Sequence, residues 1–227
     1  MRSKGAMMSR TGSEITVRRE AGAEPCTFSG ISGRFGAILI DPPWRFANRR
    51  GKIGPEHRRL HRYHTLSFEQ IAALPVEQLA LPKSHLYLWC PNALLLEALT
   101  IMKAWGFTYK TNIVWYKVRK DGGPDGRGVG FYFRNVTELL LFGVKGNLRT
   151  LQPGRTQVNV LMSRKGEHSR KPEAVYDLIE RCSPGPYLEL FARARAQGWV
   201  QWGDELDLYG QGRPLYRAYN GSRRSTT

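Results

Sequence analysis

The chain has 227 residues, 41% of them hydrophobic, which is enough for one well-cored domain and does not require a second. Its 35 basic and 19 acidic side chains give a formal net charge of +16, which excludes an acidic protein and favours a polyanionic partner. Nucleic acid is the commonest such partner, and a basic protein that is merely soluble is the alternative. Three cysteines without CxxC spacing argue against a disulfide framework or a cysteine zinc site, and no apolar stretch is long enough to span a membrane.

The two ends of the chain carry little sign of regular structure. Residues 1–30 mix small and charged side chains without periodicity and are predicted to form a loosely ordered arm, while 211–227 is predicted to be a basic, mobile tail. Arg2 and Lys4 precede no apolar segment, so no signal peptide is predicted. We therefore expect a folded domain over 31–210 in a soluble, cytoplasmic protein.

Apolar runs separated by turn residues predict alternating strands and helices. In chain order the strands are 38–40, 85–90, 111–118, 137–144, 187–191 and 199–206, and the helices are 67–74, 92–105 and 172–182. The strand at 137–144 is predicted to run antiparallel to its predecessor, because a loop can join the two directly. Alternation of this kind favours an α/β fold with a sheet of mostly parallel strands.

Characteristic residues mark the ends of the predicted helices. Ser67 and Gln70 stand three residues apart, in the position of a capping box. Asn92 is predicted to cap the second helix, and Gly106 to stop it. Pro172 opens the third helix at its first turn, where proline is tolerated.

The sequence Asp41-Pro42-Pro43-Trp44 directly follows the buried strand 38–40. The prolines end the strand because they cannot donate to its ladder, and an aspartate and an exposed-looking indole thereby stand at its carboxyl end, where open α/β sheets bind ligands. The Asp41 carboxylate and the Pro42 carbonyl can both accept from one amino group. Because proline has no N–H, the local backbone is expected to offer these acceptors without a competing donor. A planar base that carries this amino group can stack on Trp44.

Two such acceptors suit one kind of reaction. The exocyclic amine of a purine is a poor nucleophile, because its lone pair is delocalised into the ring. Acceptors that draw on both of its hydrogens favour a more tetrahedral nitrogen and expose the lone pair, which suits attack on an electrophilic carbon. The alternative is a turn that ends the strand and contains an incidental aspartate.

Seven segments extend this motif into a longer ordered pattern. They are DPPW (41–44), YHTL (63–66), HLYLWC (85–90), IVWYK (113–117), RNVTELLLFGVKGN (134–147), HSRKPEAVYDLIERCSPGPYLELFAR (168–193) and GWVQWGDEL (198–206). Together they resemble the MT-A70 family of S-adenosylmethionine-dependent N6-adenine methyltransferases. The resemblance covers most of the chain, and motifs of this length in this order are specific.

The resemblance implies a Rossmann-like methyltransferase fold over 31–210 with permuted motif order, in which the catalytic motif precedes the cofactor strand, and it implies S-adenosylmethionine as cofactor. The residues it assigns to catalysis are Asp41, Pro42, Pro43, Trp44 and Tyr63, with the Asp41 carboxylate and the Pro42 carbonyl holding the target amine. The residues it assigns to the cofactor are Asp41, Lys145, Phe191, Arg193, Arg195, Asp204 and Glu205.

Two basic segments are predicted to contact nucleic acid. The loop after the motif carries Arg45, Arg49, Arg50, Lys52, Arg58, Arg59 and Arg62, and a solvated loop is the alternative. The glycine-rich loop 119–135 contributes Arg127, Arg134 and Asn135, and simple disorder is the alternative. If the substrate is a duplex, its adenine must be flipped out, and Phe131 or Tyr132 can fill the gap.

Two other groups of residues contain side chains that can form a site. The histidines at 57, 61 and 64 lack an HExxH motif and a carboxylate at ligand spacing, so no metal is predicted. Lys171 and its neighbours open the last helix, where helix capping and a substrate role stay equally open.

The sequence therefore predicts adenine N6 methylation of DNA, because the compact single-domain layout resembles prokaryotic members of the family rather than the longer RNA-modifying ones. Methylation of RNA and a non-catalytic nucleic-acid-binding subunit are the alternatives. Members of the family form homodimers and heterodimers, so a dimer of either kind is a further expectation, and no membrane partner is expected.

Overall fold

The computed structural model of the chain describes residues 28, 30–45, 65–126, 132–164, 171–203 and 206. Most of the predicted N-terminal arm, all of the predicted tail and most of the basic loop after the motif lie outside these ranges.

The described residues form one seven-stranded sheet with helices on both faces. The strands are β1 (Phe35–Ile40), β2 (Ala80–Cys90), β3 (Thr108–Val118), β4 (Thr137–Lys145), β5 (Val160–Arg164), β6 (Tyr187–Leu190) and β7 (Trp199–Trp202), and the helices are α1 (Phe68–Ala72), α2 (Val76–Leu79), α3 (Leu95–Ala104) and α4 (Ala174–Cys182). Short 3-10 turns cover Asn92–Leu94 and Gln152–Gly154. The predicted α/β class is confirmed.

The strand order in the sheet is β5-β3-β4-β2-β1-β6-β7. β1 lies between β2 and β6 and is parallel to both, β6 is parallel to β7, and β3 is parallel to β5. β4 is antiparallel to both of its neighbours, β2 and β3. The antiparallel direction predicted for the 137–144 strand is therefore confirmed, and the other strands all run in one direction.

β1 is buried along its whole length, as its run of aliphatic residues predicts. Ile38 and Ile40 face a cluster that contains Ile101 of α3, whereas Ala37 and Leu39 face a second cluster that contains Ile179 of α4. The sheet is thus the middle layer of three, and its central strand packs against helices on both sides.

The capping box at the start of α1 is confirmed. The backbone N–H of Gln70 donates to the Ser67 hydroxyl at 3.2 Å, and the backbone N–H of Ser67 donates to the Gln70 side-chain oxygen at 2.8 Å. The helix ends at Ala72, and α2 begins directly after Pro75, which has no N–H to continue a preceding helix.

The predicted cap of α3 is wrong at its start and right at its end. Asn92 lies in a 3-10 turn, and its amide donates to the backbone and hydroxyl oxygens of Thr137, so it ties this turn to β4 instead of capping the helix. At the other end Gly106 has a φ of +79°, its N–H bonds to Lys103, and the N–H of Phe107 bonds to Met102. This pair of hydrogen bonds is a Schellman motif, which favours glycine at that position.

Other elements also differ from the sequence prediction, among them α4, β7 and β5. α4 begins at Ala174, because Pro172 and Glu173 form a turn before it. β7 ends at Trp202, earlier than the predicted 206. β5 was not predicted: it is an edge strand whose residues alternate between exposed and half-buried, so it lacks a continuous buried run.

Candidate active site

The candidate site lies at the carboxyl ends of β1 and β6. The chain leaves β1 toward β2 on one side and leaves β6 toward β7 on the other, so the two strands flank a switch point in the sheet order. Asp41 follows β1 and Phe191 follows β6, and the backbone N–H of Asp41 donates to the Leu190 carbonyl at 3.5 Å. Crevices of this kind are where open α/β sheets bind ligands.

Backbone hydrogen bonds hold the Asp-Pro-Pro-Trp motif in place. The Leu66 N–H donates to the Pro43 carbonyl at 2.9 Å, and the Trp44 N–H donates to the Pro42 carbonyl at 2.8 Å. The expectation that the Pro42 carbonyl has no competing donor is therefore wrong, because Trp44 supplies one. A carbonyl oxygen has two lone pairs, so it can still accept a second hydrogen bond.

The indole of Trp44 is buried, contrary to its exposed-looking place in the sequence. Its Nε1 donates to the carbonyl of Trp89 at 3.0 Å, which anchors the motif to the end of β2. The ring also belongs to the apolar cluster beneath α1 and α3. Its packing on a base stays a prediction.

Four alternating charges extend from the motif across the sheet. Lys171 Nζ lies 3.1 Å from Asp41 Oδ2 and 2.6 Å from Glu138 Oε1, and Lys117 Nζ lies 2.9 Å from Glu138 Oε2. We call Asp41, Lys171, Glu138 and Lys117 the charged chain. Each side chain is between 15% and 21% exposed, so the chain borders solvent without being open to it.

Two indoles line the cations of the charged chain. Lys171 Nζ lies 5.1 Å from the ring centre of Trp89, and Lys117 Nζ lies 4.5 Å from that of Trp115. The two rings meet edge to face at 5.9 Å. These aromatic faces attract the ammonium groups at positions where burial removes much of their water.

The environment of the charged chain shifts the pKa values of its two carboxyl groups in opposite directions. Burial acts to raise the pKa of Glu138, but Lys171 and Lys117 outweigh it and lower that pKa to about 2. Burial raises the pKa of Asp41 above its usual value, Glu138 adds to this, and Lys171 and Arg193 oppose it. Glu138 is therefore a firmly ionised anchor, whereas Asp41 is the carboxyl group of the chain whose pKa is raised.

The segment after β6 contributes the other side of the crevice. Phe191 has a φ of +62°, which is uncommon for a residue with a side chain, and its ring meets Trp202 edge to face at 5.5 Å. The Arg193 guanidinium is near enough to Asp41 to lower the pKa of that carboxyl, while Arg195 is exposed. The structure thus brings Phe191 and Arg193 to the edge that carries Asp41.

Lys145 does not join this site. β4 runs antiparallel to β2, so Lys145 lies opposite Ser84, about 16 Å along the sheet from the level of Asp41. Its Nζ lies 3.1 Å from a carboxylate oxygen of Glu77. The prediction that Lys145 shares a site with Asp41 is wrong, and Lys171, for which the sequence left capping and a substrate role open, is the lysine beside that carboxylate.

Other predicted site residues divide between described and undescribed positions. Arg45, Arg134 and Asn135 are exposed, and they follow β1 or precede β4 at the edge of the sheet that carries Asp41. Those outside the described residues are Tyr63, Arg49, Arg50, Lys52, Arg58, Arg59, Arg62, Arg127, Asp204 and Glu205, together with Phe131 and the histidines at 57, 61 and 64.

Among the described residues, no group of three or more His, Cys, Asp or Glu side chains could hold a metal ion. No helix in the same residues is long and apolar enough to cross a membrane.

Comparison with known proteins identifies relatives of two kinds. The chain is 29% identical over 189 residues to the type II methyltransferase M.MunI of Mycoplasma sp, an alignment that covers 76% of this chain and 78% of that protein. It is 28% identical over 181 residues to the N(6)-adenosine-methyltransferase catalytic subunit METTL3 of Homo sapiens and to the MT-A70-like protein of Drosophila melanogaster. Those alignments cover 78% of this chain but only 29% and 28% of the two relatives.

Residues 35–205 match the MT-A70 family, which is well over half of the chain and includes every described element. The match contains the motif at the end of β1, the charged chain and the segment after β6. The chain therefore belongs to the MT-A70 family of N6-adenine methyltransferases.

Proposed function

We propose that this chain transfers the methyl group of S-adenosylmethionine to N6 of adenine in DNA. The observation that carries the proposal is the placement of Asp41: it stands at a ligand-binding switch point, its carboxylate faces Lys171, and the backbone around it is held by neighbouring strands.

Asp41 and Pro42 have the chemistry to orient an amino group. Carboxylate and carbonyl oxygens accept hydrogen bonds from the two N–H groups of adenine N6, which draws the nitrogen toward a tetrahedral shape and directs its lone pair. When bound, S-adenosylmethionine supplies a methyl group on a positively charged sulfur. A new nitrogen–carbon bond forms as the carbon–sulfur bond breaks, and N6 then releases one proton.

The electrostatics of Asp41 support this role. The carboxyl group accepts most strongly from the amine while it is ionised, and Lys171 favours the ionised form. Burial raises its pKa, which also makes it a better acceptor for the proton that N6 releases. As the pH is lowered, activity is therefore expected to decline at a higher pH than it would with an aspartate of ordinary pKa.

The residues at the crevice fit the proposed cofactor. S-adenosylmethionine carries an ammonium group, a carboxylate and an aromatic base. Asp41 provides an acceptor for the ammonium, Arg193 and Lys171 provide cations for the carboxylate, and Phe191 provides an aromatic surface. These side chains together offer a partner for each of the three features.

DNA is proposed as the substrate because the alignments cover most of one relative but only a small part of the others. The alignment spans 78% of a bacterial type II methyltransferase, a kind of enzyme that acts on DNA, but under a third of the adenosine methyltransferases of eukaryotes. The excess of basic residues suits either nucleic acid. RNA is the second candidate, because the eukaryotic relatives are named for adenosine.

One experiment tests the reaction and the substrate together. The protein is incubated with cofactor labelled in the methyl group and with matched pools of DNA and RNA, which are then digested to nucleosides. Label in N6-methyldeoxyadenosine supports the proposal, and label in N6-methyladenosine alone moves the substrate to RNA. Binding of nucleic acid without label in any nucleoside indicates a non-catalytic subunit.

The variant Asp41→Ala tests the proposed residue. Methyl transfer should be almost completely lost, because Asp41 holds the reacting amine. Nucleic-acid binding should be retained, because the variant removes none of the 35 basic side chains. Asp177→Ala, which removes an exposed aspartate on α4, is the matched control and should transfer normally. Undiminished transfer by Asp41→Ala would remove this residue from the mechanism.

A further inference from the structure

Two adjacent aromatic side chains project into solvent from the loop between β3 and β4. Tyr132 is 94% exposed and Phe133 is 85% exposed, more than any other large hydrophobic side chain among the described residues. Single exposed apolar residues are common on protein surfaces, but two neighbouring rings that contribute nothing to the core are not explained by folding. Their exposure points to a binding partner.

The rings lie on the reactive side of the molecule. β3 ends and β4 begins at the sheet edge that carries Asp41, and the base of the loop is fixed by a 2.8 Å hydrogen bond from the Lys117 N–H to the Val136 carbonyl. Phe133 is five residues from Glu138 of the charged chain, so their Cα atoms are at most about 18 Å apart. This upper limit corresponds to at most about five nucleotide steps along a stacked strand.

The charge around the rings selects the kind of partner. Arg134 and Lys120 are exposed in the same loop, whereas Arg119 is held by Asp121 through two hydrogen bonds. The net charge of +16 attracts a polyanion to the chain as a whole, and these exposed cations stand beside the rings. Aromatic rings beside cations are the combination that binds unpaired bases of nucleic acid.

We propose that Tyr132 and Phe133 form a stacking platform for unpaired bases next to the adenine presented to Asp41. The identity of the target base as adenine rests on the proposed function. Stacking itself accepts any base, since every base has an aromatic face. In a duplex, the same rings would occupy the space that an extruded adenine leaves behind.

The test measures binding without methyl transfer. Labelled oligo(dT) and oligo(U) of about 16 nucleotides serve as probes, because they contain no adenine and match the upper range of single-strand site sizes. The double variant Tyr132→Ala with Phe133→Ala should bind about tenfold more weakly for each ring that stacks. The slope of affinity against salt should not change, because every cation is retained.

Two further variants identify the cause of any loss. Tyr132→Trp with Phe133→Trp keeps aromatic faces and should bind like the unmodified protein, whereas Tyr132→Leu with Phe133→Leu keeps apolar bulk and should bind as weakly as the alanine pair. Val158→Ala, which trims another exposed apolar residue, is the matched control and should leave affinity unchanged.

Equal affinity of the alanine pair and the unmodified protein for both probes would overturn the inference. So would a change in oligomeric state by sedimentation without a change in affinity, since the rings would then be a protein interface. If the rings matter for oligo(dT) or oligo(U) but no adenine is ever methylated, the proposed function fails and the stacking platform stands. If the alanine pair methylates adenine normally and binds both probes with unchanged affinity, the proposed function stands and the stacking platform fails.

Discussion

The two ends of helix α4 meet the sheet through two different polar clusters. Before its first turn, Lys171 joins the charged chain with Asp41 and Glu138. At its last turn Ser183 lies between His85 and Tyr87, with its hydroxyl 2.8 Å from His85 Nδ1 and 2.7 Å from the Tyr87 hydroxyl. Both clusters lie on the same face of the sheet.

The cluster at Ser183 is neutral and fully satisfied. His85 Nε2 lies 3.4 Å from the Leu148 carbonyl, which can only accept, so this nitrogen carries the proton. Nδ1 is then the acceptor for the Ser183 hydroxyl, and Tyr87 donates to that hydroxyl in turn. Every member has a partner without any formal charge.

Packing α4 against the sheet does not require charged side chains. The neutral cluster joins α4 to the sheet with hydrogen bonds alone, and His85 and Ser183 are fully buried. The charged chain makes a similar connection with four ions that keep some exposure, although burying ions is costly unless each is paired. Charges that packing alone does not need, placed beside a crevice, indicate a function there.

The largest expected effect comes from Lys171→Met. Asp41 and Glu138 would face each other without their shared cation, so the free energy of unfolding should fall by about 3 kcal/mol and methyl transfer should be lost. Thermal unfolding and a transfer assay measure both. Lys145→Met is the control, because the Glu77 carboxylate of its ion pair is 61% exposed and such pairs contribute at most about 1 kcal/mol. Equal effects of the two variants would contradict the distinction.

A smaller effect, dependent on pH, is expected at His85. Burial lowers its pKa below the usual 6.5, so the unfolded chain binds more protons than the folded one as the pH falls below that value. Stability should therefore be full above about pH 6.5 and decrease toward acid pH by up to about 1.4 kcal/mol per pH unit. Urea unfolding at several pH values should show a shallower acid slope for His85→Gln. An unchanged slope would mean that another group causes the acid sensitivity.

The smallest effect is expected for Tyr87→Phe. Ser183 keeps its hydrogen bond to His85 and loses only the donor from the tyrosine hydroxyl, so the free energy of unfolding should fall by about 1 kcal/mol. Methyl transfer should not change, because this cluster lies away from the crevice. A loss of transfer without a loss of stability would show that the neutral cluster is coupled to the reaction.

Local sequence signals predicted much of the fold. The aliphatic run of β1, the capping box at Ser67 and the stop at Gly106 each depend on nearby residues, and all three are confirmed. β5 was missed because an exposed edge strand needs no buried run, and the cap at Asn92 failed because its side chain binds Thr137 of a distant strand. Errors arose where partners far apart in sequence decide the structure.

In the candidate site, too, local features were predicted and contacts between distant residues were not. Asp41 and its motif were recognised from contiguous residues, but the importance of Lys171 depends on its approach to Asp41 from 130 positions away. The sequence did contain evidence against Lys145, because the predicted antiparallel direction of its strand already implies that the strand ends at the far edge of the sheet. Glu138, at the start of the same strand, is the residue that this direction brings to the site.

The central place of β1 has a consequence for synthesis of the protein. β1 emerges from the ribosome before its two partners, and one of them, β6, follows about 150 residues later. Until then a fully apolar strand has one unpaired edge, which is a template for aggregation. Truncated or stalled chains that lack β6 should therefore be insoluble and depend on chaperones, even though they contain the entire Asp-Pro-Pro-Trp motif.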